Sequence, residues 1–242
     1  MSDTAKTQAG ARPGVQAERR DWAAEAEQQV LDQALRLCLR EGWTSRMVRE
    51  AGAAAGFSAG ETELLLPHGP ADLAALLSRR HDARALQILA DVDPAALKVR
   101  ERIARALEAR LDAAAQDEAA VRRWMGWLAL PPNAALAARL AWESADALWR
   151  WAGDTATDEN HYSKRAILAG MLGAALAIRL NGSRGDALRF VERRIADVMR
   201  FEKWKATTSL RPSLWLAGVA HALGKARYGR APRAEPEIND VP

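Results

Sequence analysis

The sequence predicts an all-α protein of about ten helices, with no convincing strand. Apolar residues recur at three- and four-residue steps through most of the chain, which is the period of an amphipathic helix. Alanine is abundant in these segments, whereas glycine and proline fall mainly at their ends, as expected for helix boundaries. We expect a helix-turn-helix-like module of three N-terminal helices, followed by a larger helical domain.

The composition is that of an ordinary globular protein, with 49% hydrophobic and 27% charged residues. The net charge of +4 is too small by itself to indicate nucleic-acid binding. The single cysteine, Cys38, excludes an internal disulfide, and its apolar and basic neighbours favour a small buried hydrophobe over a nucleophile. The N-terminus has no apolar segment typical of a secretory signal, and no uncharged apolar run predicts a membrane-spanning helix.

The first two helices are predicted from periodicity and stop signals. Residues 1–20 are polar and rich in glycine and proline, which predicts a flexible tail. A helical period begins at Asp21 and ends at Gly42, a typical C-terminal glycine stop. Thr44 can cap a second, short helix that ends near Gly56.

The third and fourth helices also have recognisable starts. Ser58 and Glu61 are three residues apart, the spacing of a capping box, and predict the start of a short third helix. Gly69 then ends that segment, and Pro70 begins a long fourth helix. Residues 21–91 are therefore assigned to the helix-turn-helix-like module and its connecting helix.

Residues 92–205 are assigned to the larger helical domain. Asp93, followed by proline, predicts the N-cap of the next helix. Asn133 predicts the cap of a long helix that ends at Gly153, and Ser183 begins another capping box.

The helix that begins at Thr157 or Asp158 has a face of small residues: Ala169, Gly170, Gly173, Ala174 and Ala177. Small residues let helices splay around a bound lipid chain, but they also permit simple close packing of helices. Both interpretations are open from the sequence.

Residues 206–230 predict an amphipathic, basic helix, and residues 231–242 a flexible tail. The candidate membrane-binding residues are Trp215, Leu216, Val219, Leu223, Lys225 and Arg227. A short basic amphipathic helix with a tryptophan near its start is typical of a membrane interface. Docking of this helix on the domain, or on a second subunit, fits the pattern equally well.

Motifs for catalysis, cofactors and metals are missing from the sequence. There is no GxGxxG, no phosphate-binding GxxxxGK[ST] and no HExxH or ExxH pair. Asp158 and His161 are three residues apart, but one such pair more often reflects a helix start beside an exposed histidine. We therefore expect no catalytic residues, no cofactor and no metal site.

The N-terminal layout is that of TetR-type regulators, but the third helix does not suit DNA. Its sequence SAGETELLL contains Glu61 and Glu63 and no Lys, Arg, Asn or Gln. Two carboxylates facing a phosphate backbone would repel it. We expect a TetR-like fold that does not bind nucleic acid, with a TetR-type transcriptional regulator that binds DNA and a small hydrophobic ligand as the alternative.

The segment from Trp142 to Arg165 predicts a helix-turn-helix corner with an unusual face. Trp142, Asp146 and Trp149 share one face of the first helix, and Tyr162 and Arg165 lie on the second. If the helices fold back on each other, Arg165 can meet Asp146. The corner is then either a buried ion pair that joins two helices or a protein-docking surface anchored by Tyr162, and we favour docking.

Four segments of the chain resemble the coenzyme Q protein Nine family of ubiquinone-biosynthesis accessory proteins. They are LALPPN (128–133), ADALWRWAGDTATDENHYSKRAIL (145–168), FVERRIADV (190–198) and EARLDAA (108–114). The most specific string is W-x-x-AGD-x-x-[TS]-D-x-N-x-Y-x-[KR]-R, matched from Trp149 to Arg165. The likeness covers roughly residues 25–227.

The resemblance implies a TetR-like all-α homodimer that no longer binds DNA. Such proteins hold an isoprenoid lipid or quinone precursor in the large domain and contact the membrane through the C-terminal helix. They present substrate to the di-iron hydroxylase that acts on demethoxyubiquinone. The implied partner-binding residues are Asp146, His161, Tyr162 and Arg165.

Two departures from the family pattern affect these expectations. Mitochondrial members commonly carry tryptophan where this chain has His161, and an imidazole offers less apolar area to a partner than an indole. The N-terminus also lacks an Arg/Ser-rich, acid-poor presequence. We therefore expect a bacterial cytoplasmic protein, bound peripherally to the cytoplasmic face of the inner membrane.

Overall fold

A computed structural model describes residues 13–154 and 159–207. These residues form nine α-helices and two short 3-10 helices without a strand, which confirms the predicted all-α class. The α-helices are α1 (Pro13–Glu41), α2 (Ser45–Ala54), α3 (Ala59–Leu65), α4 (Pro70–Ile88), α5 (Val99–Ala115), α6 (Glu118–Leu128), α7 (Ala134–Trp151), α8 (Glu159–Asn181) and α9 (Arg184–Thr207).

The chain divides into two units, with the boundary between Ile195 and Ala196 in α9. The contacts below all lie within the first unit. The candidate membrane-binding residues of 206–230 lie outside the described residues, as do the proposed helix starts Thr157 and Asp158.

Helix α1 begins at Pro13, before the expected start at Asp21, because the fixed φ of proline suits the first position of a helix. It ends at the predicted glycine stop: Gly42 has a φ of 71°, a left-handed conformation that costs glycine little. The Thr44 side chain accepts a hydrogen bond from the backbone N–H of Met47 at 3.2 Å, which confirms its capping role.

Helices α2 and α3 approach each other at Gly52 and Thr62. A Cβ on Gly52 would lie 2.1 Å from Oγ1 of Thr62, so only glycine fits at this crossing. The predicted capping box of α3 is confirmed, since Ser58 N donates to Glu61 Oε2 at 2.8 Å and Glu61 N donates to Ser58 Oγ at 3.3 Å. Both glutamates of α3, Glu61 and Glu63, are exposed.

The segment after Asp93 differs from the prediction of one continuous helix. Asp93 does accept a hydrogen bond from the backbone two residues on, at 2.8 Å, but it caps only the 3-10 turn Pro94–Ala96. The backbone is then extended at Lys98, whose N–H donates to Glu101 Oε2 at 3.1 Å. This bond from the N-cap backbone to Glu101 starts α5 separately, so two elements replace the expected one.

The two ends of α7 are fixed differently. Asn133 occupies the N-cap position, but its side chain makes no capping bond and instead donates to the Trp127 carbonyl at 2.8 Å, so the predicted capping role is wrong. At the other end Gly153 has a φ of 84°, and the N–H of Asp154 donates to the Trp149 carbonyl at 3.0 Å. This is the Schellman arrangement, and it reverses the chain into the corner before α8.

Helix α4 lies at the centre of the first unit, where it packs against α1, α5 and α7, while α8 packs against α5 and α7. Leucines such as Leu77, Leu107 and Leu148 are fully buried between these helices. Cys38 is also buried, and burial raises the pKa of its thiol to about 11, so it packs as a small hydrophobe as predicted. Among the described helices, none is long and apolar enough to cross a membrane.

Candidate functional site

The predicted contact between α7 and α8 is present at the corner. Arg165 Nε donates to Asp146 Oδ1 at 2.6 Å, and Arg165 Nη1 donates to Asp154 Oδ2 at 3.0 Å and to the His161 carbonyl at 3.2 Å. The Arg165 side chain is only 2% exposed. The Arg165 guanidinium is therefore paired inside the protein, where its hydrogen bonds link α7 to α8.

Lys164 completes the same ionic cluster. Its ammonium lies 2.8 Å from Asp154 Oδ1 and 5.4 Å from the centre of the Trp149 ring. Burial would raise the pKa of Asp154, but hydrogen bonds from Lys164 and Arg165 outweigh burial and hold that pKa below its ordinary value. The carboxylate thus remains ionised between two cations.

The outer surface of the corner is aromatic. The Tyr162 ring lies 6.0 Å from the Trp142 ring and 5.2 Å from the His161 ring, measured between centroids. Tyr162 is 64% exposed, in contrast to Arg165. Of the four residues expected to bind a partner, Tyr162 is thus the accessible aromatic. Arg165 is buried and holds α7 and α8 together beneath this surface. Docking at this surface stays a prediction.

A second polar cluster lies in the interior and was not predicted. Arg110 Nε donates to Asp82 Oδ1 at 2.6 Å, and Ser144 Oγ donates to Asp82 Oδ2 at 2.9 Å. Ser78 Oγ lies 3.4 Å from Ser144 Oγ. The cluster joins α4, α5 and α7 within the apolar core.

His81 extends this cluster towards Asp117. The His81 side chain is fully buried, with Nε2 3.0 Å from Asp117 Oδ2, and Arg84 Nη1 lies 2.6 Å from the same oxygen. Burial, aided by the positive charge of Arg110, lowers the pKa of His81 although Asp117 opposes the shift. The imidazole is therefore neutral at physiological pH.

The interior cluster borders a cavity of about 280 Å³ between α6, α7 and α8. Most of its wall is apolar, including Leu128, Leu140, Leu172 and Leu176. Its polar lining consists of Ser78, Arg110, Trp124 and Ser144. A mainly apolar wall with a few polar side chains is the composition common in small-molecule pockets.

The sequence does contain a signal for the interior cluster. Arg110 falls on the apolar stripe of α5 beside Leu107 and Leu111, and His81 falls one turn after Leu77 on α4. A charged or polar residue on a core-facing stripe needs a partner. The same argument singled out Asp146, and it applies equally to Arg110.

The small-residue face of α8 is mostly open. Gly170, Gly173 and Ala174 are exposed, and a Cβ on either glycine would meet no atom of the described residues within 4 Å. Gly173 also lines the cavity. Helix packing within the described residues therefore does not explain these glycines.

The described residues contain no group of three His, Cys, Asp or Glu side chains that could hold a metal ion. The fold and site together define an all-α protein with an apolar cavity, a polar cluster at one end of it and an aromatic surface at a helical corner.

Comparison with known proteins finds a family model that matches this part of the chain. The family model described as COQ9 matches residues 134–202, which contain α7, the corner and α8. The ubiquinone biosynthesis protein COQ9, mitochondrial, of Bos taurus is 29% identical over 195 residues, covering 75% of this chain and 60% of that protein. COQ9-A of Xenopus laevis is 28% identical over 204 residues, covering 77% and 62%.

The human COQ9 protein is 26% identical over 199 residues, covering 75% of this chain and 61% of that protein. The chain thus spans about three-fifths of the length of these relatives. The family match and the relatives confirm the resemblance to the coenzyme Q protein Nine family.

The expected bacterial location is wrong by the same comparison. The matched relatives are mitochondrial proteins of animals, not proteins of the bacterial cytoplasm or inner membrane. The expectation rested on what the first residues lack, and the absence of a recognisable presequence does not assign a compartment.

Proposed function

We propose that the protein is a non-catalytic, lipid-binding accessory protein of ubiquinone biosynthesis. It binds an isoprenoid or quinone precursor, contacts the membrane and presents the precursor to the di-iron demethoxyubiquinone hydroxylase. The names of its relatives support the pathway. The proposed lipid-binding and dimerisation domain is residues 92–205.

The observation that carries the proposal is the cavity beside Arg110 and Trp124. Its volume of about 280 Å³ lies just below the roughly 300–1,000 Å³ found for ligand pockets. That space fits a ring and the start of a tail, so a long isoprenoid chain would continue outside it. The exposed positions Ala129 and Gly173 on its rim suit such an exit.

The docking and membrane steps are assigned to different parts of the chain. Tyr162 and its neighbour His161 form the aromatic surface that we assign to the hydroxylase, since exposed aromatic side chains commonly anchor interfaces. The basic amphipathic sequence of residues 206–230 is assigned to the membrane. Deletion of residues 209–230 should abolish co-flotation with liposomes, and unchanged flotation would contradict this role.

A homodimer is proposed through the exposed face of α8. Ala166, Ile167, Gly170 and Ala174 are exposed along one side of this helix, and small residues permit close approach of a second helix. Sedimentation of the wild type should give a dimer, and Ile167→Asp should give a monomer. A monomeric wild type would contradict the proposal.

Lipid binding is tested by native mass spectrometry of the purified protein. The wild type should carry an apolar lipid, and Gly173→Leu should lose it because the new side chain occupies the cavity mouth. Gly126→Leu is the matched control: Gly126 also has room for a side chain, but it does not line the cavity. A lipid-free wild type that also ignores quinone precursors would contradict the proposal.

The pathway is tested by deletion of the gene and profiling of quinones. Accumulation of demethoxyubiquinone is the expected result, and normal ubiquinone would refute the assignment. The alternative, a TetR-type regulator, would require a salt-dependent, sequence-specific shift of promoter DNA. The exposed carboxylates of Glu61 and Glu63 oppose that activity.

A further inference from the structure

The α6–α7 connector, residues 129–135, exposes an apolar surface. It contains the 3-10 turn Pro131–Asn133 and the start of α7. Its exposed residues are Ala129, Leu130, Pro131, Pro132, Ala134 and Ala135. Leu130 is the largest of these and is 51% exposed. The one polar side chain, that of Asn133, is half-buried and donates to the Trp127 carbonyl at 2.8 Å, so the exposed side chains are all apolar.

The backbone N–H groups of the connector do not depend on water for hydrogen bonds. Pro131 and Pro132 have no N–H group. The other N–H groups from residue 129 to residue 134 all donate to carbonyls of the connector or of α6: those of Ala129, Leu130, Asn133 and Ala134. A loop in water does not require this pairing, whereas an unpaired N–H in a lipid layer is costly. The connector thus meets a condition for contact with lipid.

The connector also borders the cavity. Ala129 lines the cavity and is exposed, and Leu128 and Ala137, which flank the connector in sequence, line it as well. A molecule that leaves the cavity at this rim emerges beside the connector. Because the connector is apolar, an apolar tail can pass there between the cavity and a lipid layer without crossing water.

Basic residues flank the connector on both sides. Arg123 precedes it, is exposed, and among the described residues donates only to the Leu39 carbonyl, at 3.4 Å. Arg139 follows it with a side chain that is 62% exposed, 3.7 Å from Glu143. Arginines beside an apolar surface can bind lipid phosphates while their neighbours lie deeper in the layer. A protein interface normally includes side-chain hydrogen bonds, and the exposed side chains of the connector offer none.

We propose that the α6–α7 connector is a second membrane-contacting element, which places Leu130 and the two prolines in the interfacial layer of a lipid bilayer. The inference rests on the proposed membrane contact and adds to it a surface separate in sequence from residues 206–230. The contact is shallow, since it depends on one leucine and several short side chains. It therefore strengthens membrane binding without supplying it alone, and it holds the rim of the cavity at the lipid surface.

The first test places an environment-sensitive nitrobenzoxadiazole label on the full-length protein at Leu130→Cys. Leu64→Cys, on α3, is the matched control because Leu64 is an exposed leucine outside the connector. Cys38 is buried, with the pKa of its thiol raised to about 11, so the wild type should take up no label. Vesicles of equal parts phosphatidylcholine and phosphatidylglycerol should brighten the label at position 130 and shift its emission to shorter wavelength. The label at position 64 should not change.

The second test measures flotation with the same vesicles. Leu130→Gln removes an apolar side chain without adding charge and should weaken vesicle binding by roughly fivefold, whereas Leu64→Gln should bind like the wild type.

The possible failures are distinguishable. If the wild type binds vesicles while the label at position 130 stays in water, the connector's role is overturned and that of residues 206–230 is unaffected. An emission change on adding the di-iron hydroxylase without vesicles would assign the connector to a protein partner instead. A wild type that does not bind vesicles at all would refute both the connector's role and the proposed membrane contact.

Discussion

Arg110 in the interior and Arg165 at the α7–α8 corner are equally buried, with side chains 2% exposed, and each donates to a carboxylate at 2.6 Å. They differ in what the rest of the guanidinium does. Arg165 also binds Asp154 and the His161 carbonyl. Arg110 has an Nη1 without a partner among the described residues, and it lines a cavity.

This difference separates an arginine whose donors are used to join two helices from one that keeps an unpaired donor among the described residues. The donors of Arg165 bind two helices together, so its removal should affect folding above all. Arg110 makes one ion pair and lines a cavity, so its surroundings should respond to a molecule bound there. The family resemblance placed Arg165 among the partner-binding residues, whereas its burial indicates a positioning role.

The largest expected effect is the loss of stability when Arg165, the arginine of the corner, is removed. Arg165→Ala should lower the free energy of unfolding by about 3 kcal/mol, because Asp146 and Asp154 lose the buried cation that joins them and keep only Arg150 and Lys164, which are more exposed. Urea denaturation measures this change. Arg150→Ala is the control: Arg150 also binds Asp146, at 2.8 Å, but its side chain is 75% exposed, so its removal should cost less than about 1 kcal/mol. If Arg165→Ala and Arg150→Ala have the same free energy of unfolding, the expected difference between the buried and the exposed arginine is contradicted.

Ligand binding should stabilise the interior by a somewhat smaller amount. Hexyl-para-benzoquinone at a hundred times its dissociation constant should raise the free energy of unfolding of the wild type by about 2.7 kcal/mol. Arg150→Ala should gain the same amount, since the corner does not contact the cavity. Gly173→Leu, with the cavity mouth filled, should gain nothing, and a full gain in that variant would place the ligand elsewhere.

Acid should affect the interior before it affects the corner. The pKa of His81 is lowered in the folded protein, so on acidification below its usual value of 6.5 the unfolded chain gains a proton that the folded protein does not. Stability should then fall by up to about 1.4 kcal/mol per pH unit, and His81→Asn should remove that slope. His68→Asn, at an exposed histidine, should retain it.

At the corner the titrating group is an acid, Asp154, and it affects stability at lower pH than His81 does. The folded-state pKa of Asp154 lies below its usual value of 3.8, so its contribution is present above that pH and is lost as the pH falls further. Denaturation curves between neutral pH and pH 3 would resolve the two windows. If the free energy of unfolding of the wild type stays constant until the pH at which Asp154 titrates, the account of His81 is contradicted.

The smallest effect on stability is expected at the exposed surface of the corner. Tyr162→Ala should change the free energy of unfolding by about 0.5 kcal/mol or less, because the side chain is 64% exposed. Capture of the di-iron hydroxylase should nevertheless be lost if Tyr162 anchors the complex. Unchanged capture would contradict docking at this surface.

Local signals explain what the sequence predicted well. The stop at Gly42, the cap at Thr44 and the box at Ser58 depend on residues within a few positions of each other, and each is present in the fold. The Asp146–Arg165 contact was also predictable, because the glycine stop at Gly153 ends α7 only a few residues before α8 begins.

The interior site depends on contacts that the sequence spacing does not reveal. Asp82 and Arg110 are 28 residues apart, and Asp82 and Ser144 are 62 apart, on three different helices. Polar residues on apolar stripes could have marked these positions as needing partners. Which partners they find, and that a cavity remains beside them, follows only from how α4, α5 and α7 pack.

The central claim, that the cavity between α6, α7 and α8 holds an apolar lipid, is tested most directly by native mass spectrometry of the wild type beside Gly173→Leu and Gly126→Leu. The wild type and Gly126→Leu should carry the lipid, and Gly173→Leu should not. Retention of the lipid by Gly173→Leu, or its absence from all three proteins, would contradict the claim.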